Sequence, residues 1–300
     1  MTPELRQLRY FVAVADETSF TRAAAGLHIA QQSLSQQITV LERGLGARLF
    51  DRDPRGTRLT ALGKLFLPEA RAVLARADQA VATLGRAARG EIGRVSLAFL
   101  ATTANYLLPP VVRAVRERFP DLDVTTAEAP IAELVDGLRT RRFDLAFTRP
   151  PLVPGLASRT LLTEEVCAVL PADHPLATRT SLTLADLAGE PWVLTPRATW
   201  EPWHRSYDAD FAAAGFTPRV VQRAATVQGL LGLVAAGVGV TRLTRSSHSL
   251  RRTGVTFVPL ENDIARTELV WLPGNDNPAL TTITTVALEL AATTDLTEAG

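Results

Sequence analysis

A chain of 300 residues, 46% of them hydrophobic, carries 32 Lys+Arg against 31 Asp+Glu for a net charge of +1. That length exceeds one ordinary domain and suits a small module joined to a larger two-lobed one, with ample apolar content for packed cores. No run of about 18 apolar residues occurs, which excludes a membrane-spanning helix; the start MTPELRQLRYF lacks the apolar stretch of a secretory signal, so a cytoplasmic protein is expected.

The first segment sets Leu8, Phe11, Val12 and Ala15 at i, i+3, i+4 and i+7, the stripe of a supporting helix. Thr21 is the expected N-cap of a second helix, Arg22 to Leu27, whose Ala23, Ala24 and Ala25 allow close approach, with Gly26 near the following joint. In the third segment Leu34, Ile38, Leu41 and Leu45 turn inward together and send Gln32, Ser33, Ser35, Gln36 and Gln37 outward. Amides and hydroxyls are what a face needs to read base edges, although a solvated surface looks the same. A hairpin is then expected: Leu49, Phe50, Leu59 and Thr60 flank DRDPRGT, where Arg52, Arg55 and Arg58 recur every third residue and can grip phosphates. A brace, a polar reading helix and a basic hairpin in this order predict a winged helix-turn-helix over residues 1–60 that binds double-stranded DNA. The charge split agrees: residues 1–90 hold 13 Lys+Arg and 8 Asp+Glu, net +5, whereas residues 91–300 hold 19 and 23, net −4.

Residues 61–89 read as one linker helix. Phe66, Ala70, Val73, Ala77, Ala80, Leu84 and Ala87 repeat at four and three, a coiled-coil seam through which two chains can pair, with Pro68 expected to kink its start. The alternative is an amphipathic helix packed on its own domain. A pair of reading heads implies an operator that is an imperfect inverted repeat.

Residues 90–300 alternate strands and helices, predicting a mostly parallel α/β architecture in two lobes: lobe I over about 92–162 and 268–300, lobe II over about 163–267. Strand VSLAF leads into Ala101 to Asn105, where a helix N-terminus favours an anion and Thr102 and Thr103 offer hydroxyls. Arg149 ends strand FDLAFTR, Thr199 and Trp200 follow strand PWVLT and face that loop, and Thr226 starts the helix VQGLLGLVAAG. Together they form a candidate site for an anionic effector, with aromatic acids among the candidates, each member having a structural alternative as a cap, ion-pair partner or rim aromatic. AGVGVT, with Gly237 and Gly239, is read as a helix C-cap and not as a dinucleotide fingerprint.

The stretch from LRYFVAVADETSF to RDPRGTRLTALG, with LLPPVVRAVRERFPDLDV, RRFDLAF, VLPADHPLA and VQGLLGLVAAGVGV, resembles the LysR-type transcriptional regulators along the whole chain. The resemblance implies a two-lobed effector domain like a periplasmic binding protein, a homotetramer of linker-paired dimers, and a small-molecule effector, with RNA polymerase open as a further partner. It implies that Gln31, Ser35 and Gln36 face DNA and that Arg55 meets its backbone. It also implies that the loop of Thr102 holds an effector carboxylate, and VQGLLGLVAAG and FLATTANYLLP look like the branch controlling aromatic-compound breakdown. Three positions depart from the pattern: Ala30 replaces the usual Ser or Thr cap, Gln36 the common Arg, and Ile131 a frequent polar ligand contact.

Two other classes compete. Residues 92–300 alone would suit a transport solute-binding protein, but the basic N-terminal module argues against it. An enzyme is not expected, since no nucleophile, acid-base pair or metal set reaches motif quality. The lone Cys167 sits in a strand-like EVCAVL and reads as packing; His28, His174, His204 and His248 have no ligand spacing, so neither a metal nor a cofactor is expected.

Overall fold

A computed structural model describes residues 2–53 and 56–297, which divide into two compact units, Met1–Arg86 and Ala87–Gly300. In the first, helix α1 (Leu5–Glu17) buries Leu8, Phe11 and Val14. Helix α2 (Phe20–Gly26) corrects the expected start: its cap is Ser19, extended at φ −156°, with Oγ accepting from the Arg22 amide at 3.3 Å. Phe20, Ala23 and Ala24 are all buried at i, i+3 and i+4, so burying the phenyl ring draws the helix upstream of Thr21. The left-handed residue of the joint is His28, at φ 54°, and not Gly26, which ends the helix itself.

Helix α3 (Gln31–Leu45) buries Leu34, Ile38 and Leu41 and stops at Gly46, whose φ of 67° is the left-handed cap that glycine adopts without a Cβ penalty. Glu42 on α3 accepts the amides of Leu49 at 2.7 Å and Phe50 at 3.1 Å, fixing where strand β1 (Phe50–Asp53) begins. It pairs antiparallel with β2 (Gly56–Leu59), Phe50 opposite Leu59. The ring of Phe50 lies 5.3 Å from Phe11 and 5.7 Å from Phe20, so hairpin and helices share one core. Helix α4 (Ala61–Ala88) runs on without a break through Pro68, and a Cβ at Gly63 would stand 2.1 Å from the Leu49 carbonyl oxygen, which demands glycine there.

The second unit contains, in order, β3 (Gly93–Phe99), α5 (Ala101–Arg118), β4 (Leu122–Glu128), α6 (Ile131–Arg139), β5 (Leu145–Thr148) and β6 (Ala157–Pro171). There follow β7 (Pro191–Leu194), α7 (Glu201–Ala213), β8 (Arg219–Arg223), α8 (Val227–Ala235), β9 (Thr241–Thr244), β10 (Val255–Trp271) and α9 (Ala279–Thr293). The expected mostly parallel sheet needs correction. One six-stranded sheet runs β4-β3-β5-β10-β6-β9; β3 is parallel to β4 and β5, but β10 is antiparallel to β5 and β6, and β6 to β9. Strands β7 and β8 form a separate parallel pair.

The long strands β6 and β10 are the connections between lobes. Leu162 and Thr267, where the sequence divides the lobes, sit opposite each other in their register, next to an irregularity between Thr267 and Glu268. Separate cores lie to either side, around Phe99, Phe147 and Ile283 in lobe I and around Trp192, Phe211 and Val258 in lobe II. Gly237 follows α8 in the left-handed region at φ 74°, and a Cβ on Gly239 would stand 2.4 Å from the Pro191 carbonyl oxygen, so backbone conformation accounts for the first glycine and close packing for the second. Cys167 is buried, and burial pushes its thiol up to about 11, so it is neutral in this core. No described helix is long and apolar enough to cross a membrane, and no described cluster of His, Cys, Asp or Glu is placed to hold a metal ion.

Candidate functional site

The reading helix is the first candidate surface. With Leu34, Ile38 and Leu41 buried, Gln31, Gln32, Ser33 and Gln36 are exposed, while Ser35 and Gln37 are half-buried. Gln31 is held from behind, its Oε1 accepting from the Thr21 hydroxyl at 3.1 Å, so the threonine expected as a cap braces an amide instead. Ala30 caps α3 with no side-chain hydrogen bond although its φ of −68° and ψ of 138° suit a capping serine. Ala30→Ser is expected to stabilise the N-terminal unit by about 0.5–2 kcal/mol. Its thermal melting midpoint should rise; an unchanged midpoint would show that the new hydroxyl does not accept from α3. Of the expected hairpin contacts, Arg52 enters through its backbone, paired with Thr57, and Arg55 lies outside the described residues.

The second candidate is a cleft of about 410 Å³ lined by residues of both lobes, among them Thr102, Arg149, Val166, Trp203, Tyr207 and Thr244. Its position follows from the sheet: β3 and β5 are parallel neighbours, so Leu100 and Arg149 both emerge at their C-terminal ends, where ligands meet α/β sheets. α5 begins there with no side-chain cap.

Arg149 is 4% exposed and is the anchor of this end. Its Nη2 donates to Glu164 Oε1 at 2.8 Å, Thr244 Oγ1 at 3.1 Å and the Tyr106 hydroxyl at 3.2 Å. Glu164 is in turn satisfied on its other oxygen by the Ser246 amide at 2.8 Å. Burial, with Glu164 adding to it and Arg149 opposing, pushes the Tyr106 phenol up, so tyrosine stays protonated between the pair and Thr267, 3.0 Å away. Arg149 Nε and Nη1 remain buried without partners, and so does Thr102 Oγ1. Buried polar groups normally find a partner, so these atoms are the natural place for a ligand's oxygens.

The other predicted residues are distributed differently. Thr103 is fully buried, its hydroxyl 2.8 Å from the carbonyl oxygens of Leu100 and of Phe147; it belongs to the lobe I interior. Thr226 is exposed and accepts from the Gly229 amide at 3.0 Å, capping α8. Thr199 is half-buried in a short 3-10 turn, outside the lining of the cleft. Trp200 packs with the α6 side of lobe I, its indole donating to the Pro151 carbonyl at 3.0 Å. Trp203 takes the cleft position instead, donating to the Pro150 carbonyl at 3.0 Å and stacking at 6.1 Å with Tyr207. Ile131 is fully buried in the lobe I core.

Sequence reasoning missed Tyr207 and Arg242. Burial pushes the Tyr207 phenol up, and the Arg242 guanidinium lies 4.8 Å from its ring centre. Burial alone would lower the Arg242 pKa, but two 2.6 Å hydrogen bonds to Asp263 and one of 2.8 Å to Asp210 raise it. The spacing of Trp203 and Tyr207, one helical turn apart, was the available signal for one; nothing local marked Arg242. The cleft therefore offers the hydrogen-bonding end at Arg149, and walls that mix proline, aliphatic and aromatic carbon with the paired Arg242 and Asp210 and with Ser206 and Arg266.

Comparison with known proteins covers both units. Residues 5–64 match the family described as bacterial regulatory helix-turn-helix protein, lysR family, and residues 88–291 match the LysR substrate binding domain. The HTH-type transcriptional regulator AlsR of Bacillus subtilis is 34% identical over 280 residues, 92% of this chain and 93% of AlsR. The HTH-type transcriptional regulator IlvR of Caulobacter vibrioides is 37% identical, over 92% of this chain and 95% of IlvR. Among solved structures, full-length CbnR complexed with its target DNA matches with a TM-score of 0.73 and 27% identity, covering 96% of this chain and 99% of CbnR.

Proposed function

The chain belongs to the LysR family of DNA-binding transcriptional regulators, and we propose that the effector its cleft admits is a small organic anion with a flat, aromatic-like body. Its relatives are named as transcriptional regulators, and it is a regulator and not an enzyme. The observation that carries the effector reading is the set of unpartnered donors, Arg149 Nε and Nη1 with Thr102 Oγ1, at one end of a cleft walled by Trp203 and Tyr207. A carboxylate satisfies two or three of them with charge-assisted bonds, and the ring stack accepts the remainder of the ligand. This chemistry fits the branch that controls aromatic-compound breakdown. Calorimetric titration with benzoate and muconate tests it: binding that Thr102→Val weakens supports the reading, and no heat up to millimolar ligand overturns it.

On the DNA side, Gln31, Gln32, Ser33, Ser35 and Gln36 read base edges, and Arg52 and Arg55 grip phosphates. Two heads on paired chains recognise an imperfect inverted repeat, and ligand binding shifts the assembly between geometries that bend DNA differently, because the two have unequal ligand affinity. Within the predicted heptad, Phe66 and Ala70 pack into the core of their own unit. Val73 and Leu84 of that heptad are 48% and 71% exposed, and Leu62, on the same helix face, is 53% exposed, an apolar strip that a second helix covers. Leu84→Asp is accordingly expected to convert the dimer, and the tetramer built from it, to smaller species in sedimentation; an unchanged mass places the seam elsewhere.

A further inference from the structure

On the reverse side of the strand that lines the effector cleft lies a second hollow of about 950 Å³, under the 3-10 turn Arg245–Leu250 and the chain that follows it. Alternation along β6 separates the two: Val166 lines the cleft, whereas Glu165 and Cys167 line the hollow. Among the described residues, none belongs to both linings.

We propose that this hollow is a second small-molecule site, built for a monocarboxylate with an extended apolar tail. Its floor is apolar, with Val255, Phe257 and Pro259 from β10 beside Cys167. Burial, assisted by Glu165, holds the Cys167 thiol neutral with a pKa of about 11, so the floor adds no negative charge. Its rim is cationic. Arg245, Arg251 and Arg252 stand there with His248, whose ring meets Phe257 edge-on at 5.3 Å.

Among the described residues of the lining Glu165 is the only carboxylate, and it is 3.5 Å from Arg245. Arg251 and Arg252 are exposed, and no ion pair to either occurs among the described residues. A second feature points the same way: Ser249 Oγ in this lining is buried and lacks any hydrogen-bond partner. An orphaned hydroxyl beside unpaired guanidinium groups is satisfied by an acceptor anion, and the carbon floor beneath it takes the tail that a bare inorganic ion would lack. Concave sites of this size with a few convergent polar groups are the usual setting of small-molecule recognition.

Full-length protein titrated with octanoate and with 1-octanol tests the site. Octanoate is expected to bind saturably and roughly tenfold more tightly than octanol, since both offer the same tail and only one the charge. The double variant Arg251→Ala, Arg252→Ala should weaken octanoate by about tenfold, and Ser249→Ala by about threefold. Thr102→Val, a change in the effector cleft, should leave octanoate binding unchanged even if it abolishes the response to aromatic acids. Equal affinity for octanol, full affinity in the double arginine variant, loss of octanoate binding in Thr102→Val, or no saturation up to millimolar octanoate would each overturn the proposal. Because both arginines are exposed, their loss does not threaten folding.

Discussion

Arg149→Met is expected to abolish effector binding and to destabilise the effector domain by about 3–5 kcal/mol, because it strands Glu164 as an uncompensated buried charge. The two side chains are 5% and 1% exposed, so water cannot replace the missing partner. The Tyr106 hydroxyl, 3.3 Å from Glu164, and the Ser246 amide remain as its donors, but neither is charged. Combining Arg149→Met with Glu164→Gln removes both charges and should recover most of the stability, since a neutral pair of similar volume avoids the desolvation cost. It should not recover ligand binding, because Nε and Nη1 have gone. Urea unfolding and calorimetry on the single and double variants separate the two roles. A double variant that again binds aromatic acids would remove Arg149 from the site, and a single variant as stable as the parent would show that Glu164 is not left as an uncompensated buried charge.

The two units differ in how much the sequence disclosed. In the head, apolar spacing alone located α3, because Leu34, Ile38 and Leu41 have one face to bury, and an exposed polar face follows automatically. The antiparallel spine was not legible. β10 runs seventeen residues, Val255–Trp271, but the middle LENDIAR carries charge and a left-handed Asn262, which reads as a loop between two shorter strands. Pairing with β6 on either side, at residues 255–259 and 264–271, carries the strand across residues 260–263, which β6 leaves unpaired, a non-local fact that local propensity cannot supply.

At the cleft, sequence position told which residues follow strands but not where their side chains turn. Thr102 and Thr103 are neighbours on α5, about 100° apart around its axis, so one can reach the cleft only if the other turns into the lobe. Trp200 and Trp203 differ for another reason: Trp200 is the extended residue that precedes α7, at φ −166°, whereas Trp203 lies on the helix and shares a face with Tyr207. Arg149 was visible because a charged residue ending a fully buried strand needs a reason to be there. Its unpartnered nitrogens became visible only once Glu164, Tyr106 and Thr244 were placed around it.

Gln36→Ala should produce the largest loss on the DNA side, and its signature distinguishes reading from gripping. Gln36 is exposed on α3, one turn beyond Gln32 and on the side away from the buried Ile38, so its amide is free to pair with a base edge. One good bidentate pairing is worth about 1–3 kcal/mol of discrimination. A paired regulator places it twice, once in each half-site, so the operator should lose about 2–6 kcal/mol, or roughly 30-fold to 20,000-fold in affinity. Glutamine carries no charge, so binding to random duplex and the slope of affinity against salt should both stay as they are. Arg58→Ala gives the opposite pattern from the exposed edge of β2. It should weaken all duplexes alike and reduce the salt slope by about 0.9 for each phosphate that is no longer neutralised. Competition binding on an operator recovered by genomic footprinting, at several salt concentrations, reads both quantities. If Gln36→Ala weakens random duplex as much as the operator, then α3 does not read sequence through this amide, and the hairpin and DNA shape must supply the preference.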